Sequence, residues 1–283
     1  MDMHNDSTSR TIGNQESWVI IAAGESLYAV PSLSVRTMVM MPPVASVPNT
    51  PGHVRGVINL RGRVLPLVDL RMRCGVESLA EHVESICKLL EQREEDHRNW
   101  LAELEKSVNE QRDFKLTTDP HKCAFGKWYD QFHTEDLVLA GIMKTFDEPH
   151  KAIHGVAHQV EDAKQRKDFH GAAALIEHTR KTVLSQLLNS FAASRSHMRS
   201  ATREIALVLE DTEGAGKSFA LAVDKVESTE LLSAESVTSL PRIMASTTTR
   251  FILGVAKRKR DKRMILLLDV RPLYEDTMAV DAA

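Results

Sequence analysis

The feature that most constrains this 283-residue chain is a hydrophobic period that changes twice. From Trp18 to about Gly75 the apolar residues fall in short runs broken by turn residues, the texture of β-strands. Near Gly75 that texture gives way to long segments with apolar residues three and four apart, and near Thr202 the short runs resume. Strand-forming sequence on both sides of a self-contained helical block points to a domain inserted into a loop of another. Insertion is tolerated where the ends of a domain lie close together. A chain of this length can bury two ordinary cores without disulfide staples.

The first β part reads as a hairpin, WVIIAA and SLYAV around a Gly-Glu turn, ending at Pro31. A proline-rich loop, MPPVASVPNTPG, leads into VRGVINLRGRVLPLVDLR, read as two strands about a turn at Arg61-Gly62-Arg63, with Pro66 marking an edge or bulge. Helical patterns follow over about 78–112, 123–132, 135–147, 150–166 and 169–199, which predicts a bundle of about four main helices. After Thr202 the strands are REIALVLED, KSFALAVDKV, RFILGVA and RMILLLDV. Residues 1–16 are polar and without period, so a disordered tail is expected there.

A net charge of −3 gives no global attraction to nucleic acid or to an anionic membrane. No window approaches the ~18 apolar residues of a membrane span, and the opening MDMHNDSTSRTIGNQES lacks the basic start and apolar stretch of a signal peptide. Three cysteines, Cys74, Cys87 and Cys123, are too sparse for the framework of a secreted disulfide protein. A reducing cytoplasm is the expected compartment, with Cys74 and Cys87 as small apolar fillers.

One set of side chains in the helical block has the chemistry of a metal site. His150 and His154 stand four apart in EPHKAIH, so both rings leave one face of a helix, and Pro149 suits that helix's first turn. His97 interrupts the apolar stripe Leu79, Val83, Ile86, Leu90, Leu101, Leu104, Val108, where an imidazole without a partner would be costly. Cys123 opens the run CAFGKWY. Three imidazoles and one thiolate suit a tetrahedral Zn2+ and leave no vacancy. The bland alternatives are chance, since the chain has twelve histidines, and a core histidine satisfied by a hydrogen bond.

CAFGKWY, followed by the proline-proximal HxxxH and preceded by a helical histidine, resembles the chemoreceptor zinc-binding (CZB) family over about residues 78–200. That resemblance implies an all-α four-helix bundle in which His97, Cys123, His150 and His154 hold zinc, and a domain that senses zinc or oxidants such as hypochlorous acid through the zinc-bound Cys123. It also implies a homodimer through the helical insert. GVINLRGRVLPLVDLR, LAVDKVES and FILGVAKRKRDKRMILLLDV together resemble CheW, the chemotaxis adaptor. The fold implied is a multidomain α and β protein, a CheW-like double β-barrel of two five-stranded subdomains split in sequence by the CZB bundle. The expected boundaries are 17–76 and 201–278 for the adaptor, 77–200 for the insert and 279–283 for a tail.

The CheW resemblance implies an adaptor coupling the cytoplasmic tip of a chemoreceptor to the histidine kinase CheA. From spacing alone Arg61 reads as a solvated turn arginine; the resemblance makes it a partner-binding residue, with Asn59 and Gly62 shaping its turn. A guanidinium there can grip carboxylates in a planar, bidentate way that lysine cannot copy.

Three other patterns carry competing readings. EGAGKS at 213–218 has Asp211 where a phosphate-binding loop needs its first glycine, so a hairpin turn is expected. KRKRDKR at 257–263 is expected to be a solvated hairpin tip between strands. His158, one turn beyond His154, and His121 are spare imidazoles, while Trp128 and Tyr129 are expected to pack beneath the site. A zinc hydrolase is disfavoured, because HKAIH has no glutamate where a metalloprotease places its base and four protein ligands exclude water. A purely structural zinc remains open at this stage.

Overall fold

A computed structural model describes residues 15–210, 217–240 and 250–278. The chain divides into two compact units, residues 1–79 with 203–283, and residues 80–202. The divisions fall at 79/80 and 202/203, where 76/77 and 200/201 were expected. The expected tails lie outside the described residues, except that Glu16 already belongs to a strand.

In chain order the first unit opens with β1 (Glu16–Ala23), β2 (Ser26–Pro31), β3 (Val35–Met40), β4 (Val44–Ala45), β5 (Val54–Leu60), β6 (Arg63–Asp69) and a single helical turn, α1 (Leu70–Arg73). The helical unit holds α2 (Leu79–Asn109), α3 (Ala124–Tyr129), α4 (Leu137–Lys144), α5 (Asp147–Gln165), α6 (Phe169–Thr179) and α7 (Ser185–Ala201). The first unit resumes with β7 (Ile205–Glu210), β8 (Ser218–Val223), β9 (Lys225–Leu232), β10 (Val237–Thr238), β11 (Ile252–Lys257) and β12 (Met264–Leu268), and closes on α8 (Val270–Met278).

Two mixed sheets result, in the orders β10-β11-β12-β2-β1-β9 and β3-β7-β8-β6-β5-β4. Each has five strands of five to eight residues and a two-residue strand at one edge, one strand more than the expected five. Strands from before and after the insert interleave: β1 pairs with β9, β2 with β12, β3 with β7 and β6 with β8. Neither flank could build this unit alone.

Both sheets must curl. The outer strands β9 and β10 lie at opposite ends of a six-stranded sheet, so if flat they would be about 24 Å apart at ~4.8 Å per strand. Only residues 233–236 join them, a reach of at most ~17 Å. The same holds for β3 and β4, joined by residues 41–43. Barrel-like closure follows, as the fold class requires.

Arg258 closes the first barrel from the side-chain end, and it corrects the reading of KRKRDKR. The run does link β11 to β12, but the Arg258 side chain is 0% exposed. From the end of β11 it donates to Glu230 Oε1 (2.7 Å), Glu227 Oε2 (2.8 Å) and Ser228 Oγ (2.8 Å) of β9 and to Asp261 Oδ2 (3.2 Å). These acceptors neutralise a charge that would otherwise stay in water. Of the two readings of Pro66, the edge is corrected, since β6 is an inner strand, while a register shift at Val54/Gly56 of β5 falls opposite the two residues after it; its ladder with β8 covers only Leu67 to Asp69, which leaves room for a residue without an N–H. Glu213–Gly216 of EGAGKS lie outside the described residues; the segment joins antiparallel β7 and β8, and a strand stands where a phosphate loop needs a helix.

The helical unit has its own core, in which Leu90, Leu101, Leu104 and Val108 of α2 meet Ile153, Val156 and Val160 of α5 and Leu187 and Phe191 of α7. Asp136 caps α4 by accepting from Val138 N and Leu139 N, and Asp168 caps α6 through Gly171 N. α6 and α7 run on as one helix through a π-helical turn at Arg180–Leu184. No described helix is long and apolar enough to cross a membrane.

Candidate metal centre

Three helices of the second unit bring the four predicted side chains together. The ligand atoms of His97, Cys123, His150 and His154 all lie within 4.8 Å of one another. A zinc tetrahedron built on three nitrogens and one sulfur has edges of roughly 3.3–3.6 Å. Cys123 Sγ and His150 Nε2 are already 3.2 Å apart, so closing the rest requires movements of about 1 Å.

Each ligand is positioned by its local sequence. His97 lies on the buried face of α2, and its Nδ1 sits 2.7 Å from the carbonyl of Arg93, one turn back. A carbonyl can only accept, so the proton resides on Nδ1 and Nε2 keeps its lone pair. That Nε2 is buried without a hydrogen-bond partner, as are both ring nitrogens of His154. Unpaired buried imidazoles are costly, and a shared cation would satisfy them. His150 and His154 stand one turn apart on α5, with ring centroids 5.0 Å apart.

Cys123 caps the N-terminus of α3, where Gly126 N donates to its Sγ at 3.1 Å. The glycine of CAFG is a packing requirement: a Cβ on Gly126 would lie 1.9 Å from the Pro120 carbonyl oxygen. The rings around the site are mostly aromatic. Phe125 meets His150 edge-on at 5.0 Å, and Trp100 meets His154 at 4.9 Å. Trp128 and Tyr129 pack against the same core, and the Tyr129 hydroxyl donates to Asp147 Oδ1 at 2.7 Å.

Burial sets the electrostatics. Desolvation lowers all three imidazoles, His150 to about 3 with help from the neighbouring His97 and His154, and His154 to about 4. His97 falls for the same reason, opposed by its bond to the Arg93 carbonyl. The Thr117 carbonyl, which accepts from Trp100 Nε1 at 2.8 Å, also opposes the fall at His154, without making a hydrogen bond of good geometry to it. Burial pushes the Cys123 thiol up, resisted by the Gly126 and Phe125 N–H groups. Neutral imidazoles with free lone pairs are the protonation state a cation needs. The residues present therefore fit zinc.

The spare histidines stand apart. His158 is exposed, and His121 pairs with Asp130 at 2.9 Å on the surface. Sequence reasoning missed Trp100, although its position three residues after His97 places it on the same helical face. It also missed the Arg93 carbonyl, which any residue type would supply.

In the first unit, Arg61 and Gly62 form a two-residue turn between β5 and β6, closed by the Leu60–Arg63 pair. Both have positive φ, 55° and 85°, as such a hairpin demands. Asn59 Oδ1 accepts from Gly62 N at 2.9 Å and holds the turn. Arg61 is exposed, on the rim of a cavity of about 170 Å³ shared with Arg36 and Arg63.

Residues 17–114 match the model of the CheW-like domain, and residues 97–161 that of the chemoreceptor zinc-binding domain. The first match runs on into α2, which packs in the helical unit. The chain is 42% identical over 55 residues to "Chemotaxis protein CheW" of Helicobacter pylori, covering 19% of this chain and 33% of that protein. It is 40% identical over 63 residues to "Probable chemotaxis protein CheW" of Rhizobium etli (21% and 41%) and 33% identical over 84 residues to "Chemotaxis protein CheW" of Rhizobium meliloti (30% and 54%). The chain thus spans between a third and about half of the length of these relatives. The crystal structure of scaffolding protein TtCheW from Thermoanaerobacter tengcongensis aligns with a TM-score of 0.41 at 15% identity, covering 95% of this chain and 91% of that one, a likeness too weak to argue from. The four clustered side chains all fall inside the second matched span, and the interleaved strands inside and beyond the first: the chain contains a CheW-like domain together with a chemoreceptor zinc-binding domain.

Proposed function

We propose that this protein is a non-catalytic cytoplasmic chemotaxis adaptor that couples a chemoreceptor tip to the histidine kinase CheA, and that His97, Cys123, His150 and His154 hold zinc and make its helical unit a sensor of zinc or oxidant. The observation that carries the reading is the convergence of three buried imidazoles, two with unpartnered nitrogens, and one half-buried thiol. Zinc bound there keeps Cys123 in the thiolate form, the form an electrophilic oxidant attacks. Oxidised to sulfenic acid, Cys123 is a poorer donor, and the set keeps three imidazoles. The Arg61 turn supports the adaptor half of the reading, since it presents an exposed guanidinium to a partner's carboxylates.

The test is metal content and co-assembly with receptor and kinase, measured before and after mild oxidation. Cys123→Ala should lower zinc retention and abolish any oxidant response while the β unit keeps its fold; a response that survives in this variant rejects the sensor. Zinc retained through oxidation of Cys123 would instead identify a structural staple. Arg61→Ala should weaken co-assembly without changing thermal stability, and a pull-down unaffected by it removes Arg61 from the interface.

A further inference from the structure

An open cleft of about 860 Å³ is lined by α2 and by the segment that carries Cys123. Asp96, Asn99, Trp100, Glu103 and Lys106 of α2 form one wall, and Leu116 and Thr117, with Lys122, Cys123 and Lys127, form the other. Of the four clustered side chains, Cys123 alone lines this cleft; the three histidines are buried behind it. Of the four, Cys123 is therefore the residue that a reagent entering the cleft from water can reach.

The charges on the walls are unequal in number and in freedom. Three lysines face two carboxylates, and both carboxylates are engaged, Asp96 by Arg93 at 3.2 Å and Glu103 by Arg112 at 2.7 Å. Lys122 is tied to Asp119 at 3.2 Å, and Lys106 stands 3.9 Å from Glu110. Lys127 is exposed, one helical turn beyond Cys123, and makes no ion pair among the described residues. Its ammonium is the free charge on the cleft wall that also carries Cys123.

We infer that this cleft is the access route by which a small oxygen-transferring anion reaches Cys123, and that Lys127 steers it. The inference rests on the sensor reading above. For an anionic peroxy acid such as peroxymonosulfate the step balances as thiolate plus HSO5− giving sulfenic acid plus SO4²−. The O–O bond breaks, an S–O bond forms, sulfur loses two electrons and sulfate leaves with the pair. Hydrogen peroxide does the same chemistry without charge, giving sulfenic acid and hydroxide.

That pair of reagents is the test, run on the zinc-loaded full chain with Cys123 sulfenic acid read by mass spectrometry and zinc release by a chromophoric chelator. Lys127→Glu should slow peroxymonosulfate by about threefold or more at low salt, the difference shrinking as salt is added. Its rate with hydrogen peroxide should stay within error. Leu116→Trp, which narrows the cleft, should slow both reagents. Equal slowing of both by Lys127→Glu, or no slowing of peroxymonosulfate, overturns the steering role, and an unimpeded Leu116→Trp overturns the route. If Cys123 in the unmodified chain holds no zinc and resists both oxidants, the sensor reading itself fails, which zinc content and the unmodified rates reveal separately.

Discussion

Lowering the pH from 7 to 5 should weaken zinc binding only as far as a single proton dictates. In the folded metal-free unit His150 and His154 titrate at about 3 and about 4, and His97 is also depressed, all by burial. At pH 5 the first two are still neutral, whereas Cys123, pushed up by burial, carries its proton throughout. Binding must expel that proton and none from His150 or His154. The affinity then falls tenfold per pH unit, about 100-fold or ~2.7 kcal/mol across the interval. Were the three imidazoles titrating at their ordinary ~6.5, each would add a further factor of about 25, or roughly 10⁴ together. Competition against a chromophoric chelator at half-unit steps of pH reads the slope, with circular dichroism confirming that the metal-free helices persist. A slope near one supports a preformed, desolvated site. A slope of two or more between pH 6.5 and 5 refutes it. The same shifts set the stability of the metal-free unit: folded histidines depressed below their unfolded value leave stability intact above pH 6.5 and remove it as the pH falls toward 4 and 3. At pH 5 the cost is about 2 kcal/mol for each of His150 and His154.

Two packing predictions follow from atoms already named. Gly126→Ala places a Cβ 1.9 Å from the Pro120 carbonyl oxygen, so the turn carrying Cys123 must move; zinc affinity should drop by at least tenfold, about 1.4 kcal/mol, in a competition titration. Arg258→Met removes a fully enclosed charge and leaves Glu227 and Glu230 facing each other without it, which should destabilise the β unit by about 3 kcal/mol or more in denaturant unfolding. A loss under about 0.5 kcal/mol would show that the residue merely fills space.

The two-unit organisation was legible because strands and helices impose different spacings, and nothing in a folded chain can hide a change from period two to period 3.6. The clustering of the four side chains was legible because His150 and His154 share a helix face and because an imidazole at His97 in an apolar stripe calls for something that satisfies it. What local pattern could not show is pairing. The parallel ladders β6–β8 and β2–β12 join residues separated by the whole insert, and no window of sequence carries that information. Arg258 was misread for the same reason. Its neighbours in sequence are exposed cations, and the acceptors that bury it are on β9, about thirty residues earlier.

The interleaving also fixes where the insert can act along the chain. Because strands from both flanks share each sheet, the two junctions enter and leave one closed unit and cannot drift apart. Each is held by an arginine. Near the first, Arg71, 6% exposed, donates from Nε to Asp224 at 3.0 Å and from Nη1 to the Glu77 carbonyl at 3.3 Å. Near the second, Arg55 grips both oxygens of Glu204 at 2.7 and 2.6 Å and lies 3.5 Å from Asp69, while Glu204 O accepts from Met41 N at 3.0 Å. Glu77 and Glu204 stand within three residues of the unit boundaries. Each post ties its junction to strands of the β unit through charge-assisted bonds, which are directional and about twice as strong as neutral ones. Arg55 sits on β5, the strand that ends in the Arg61 turn, so the second post lies on the same strand as the surface proposed to meet a partner.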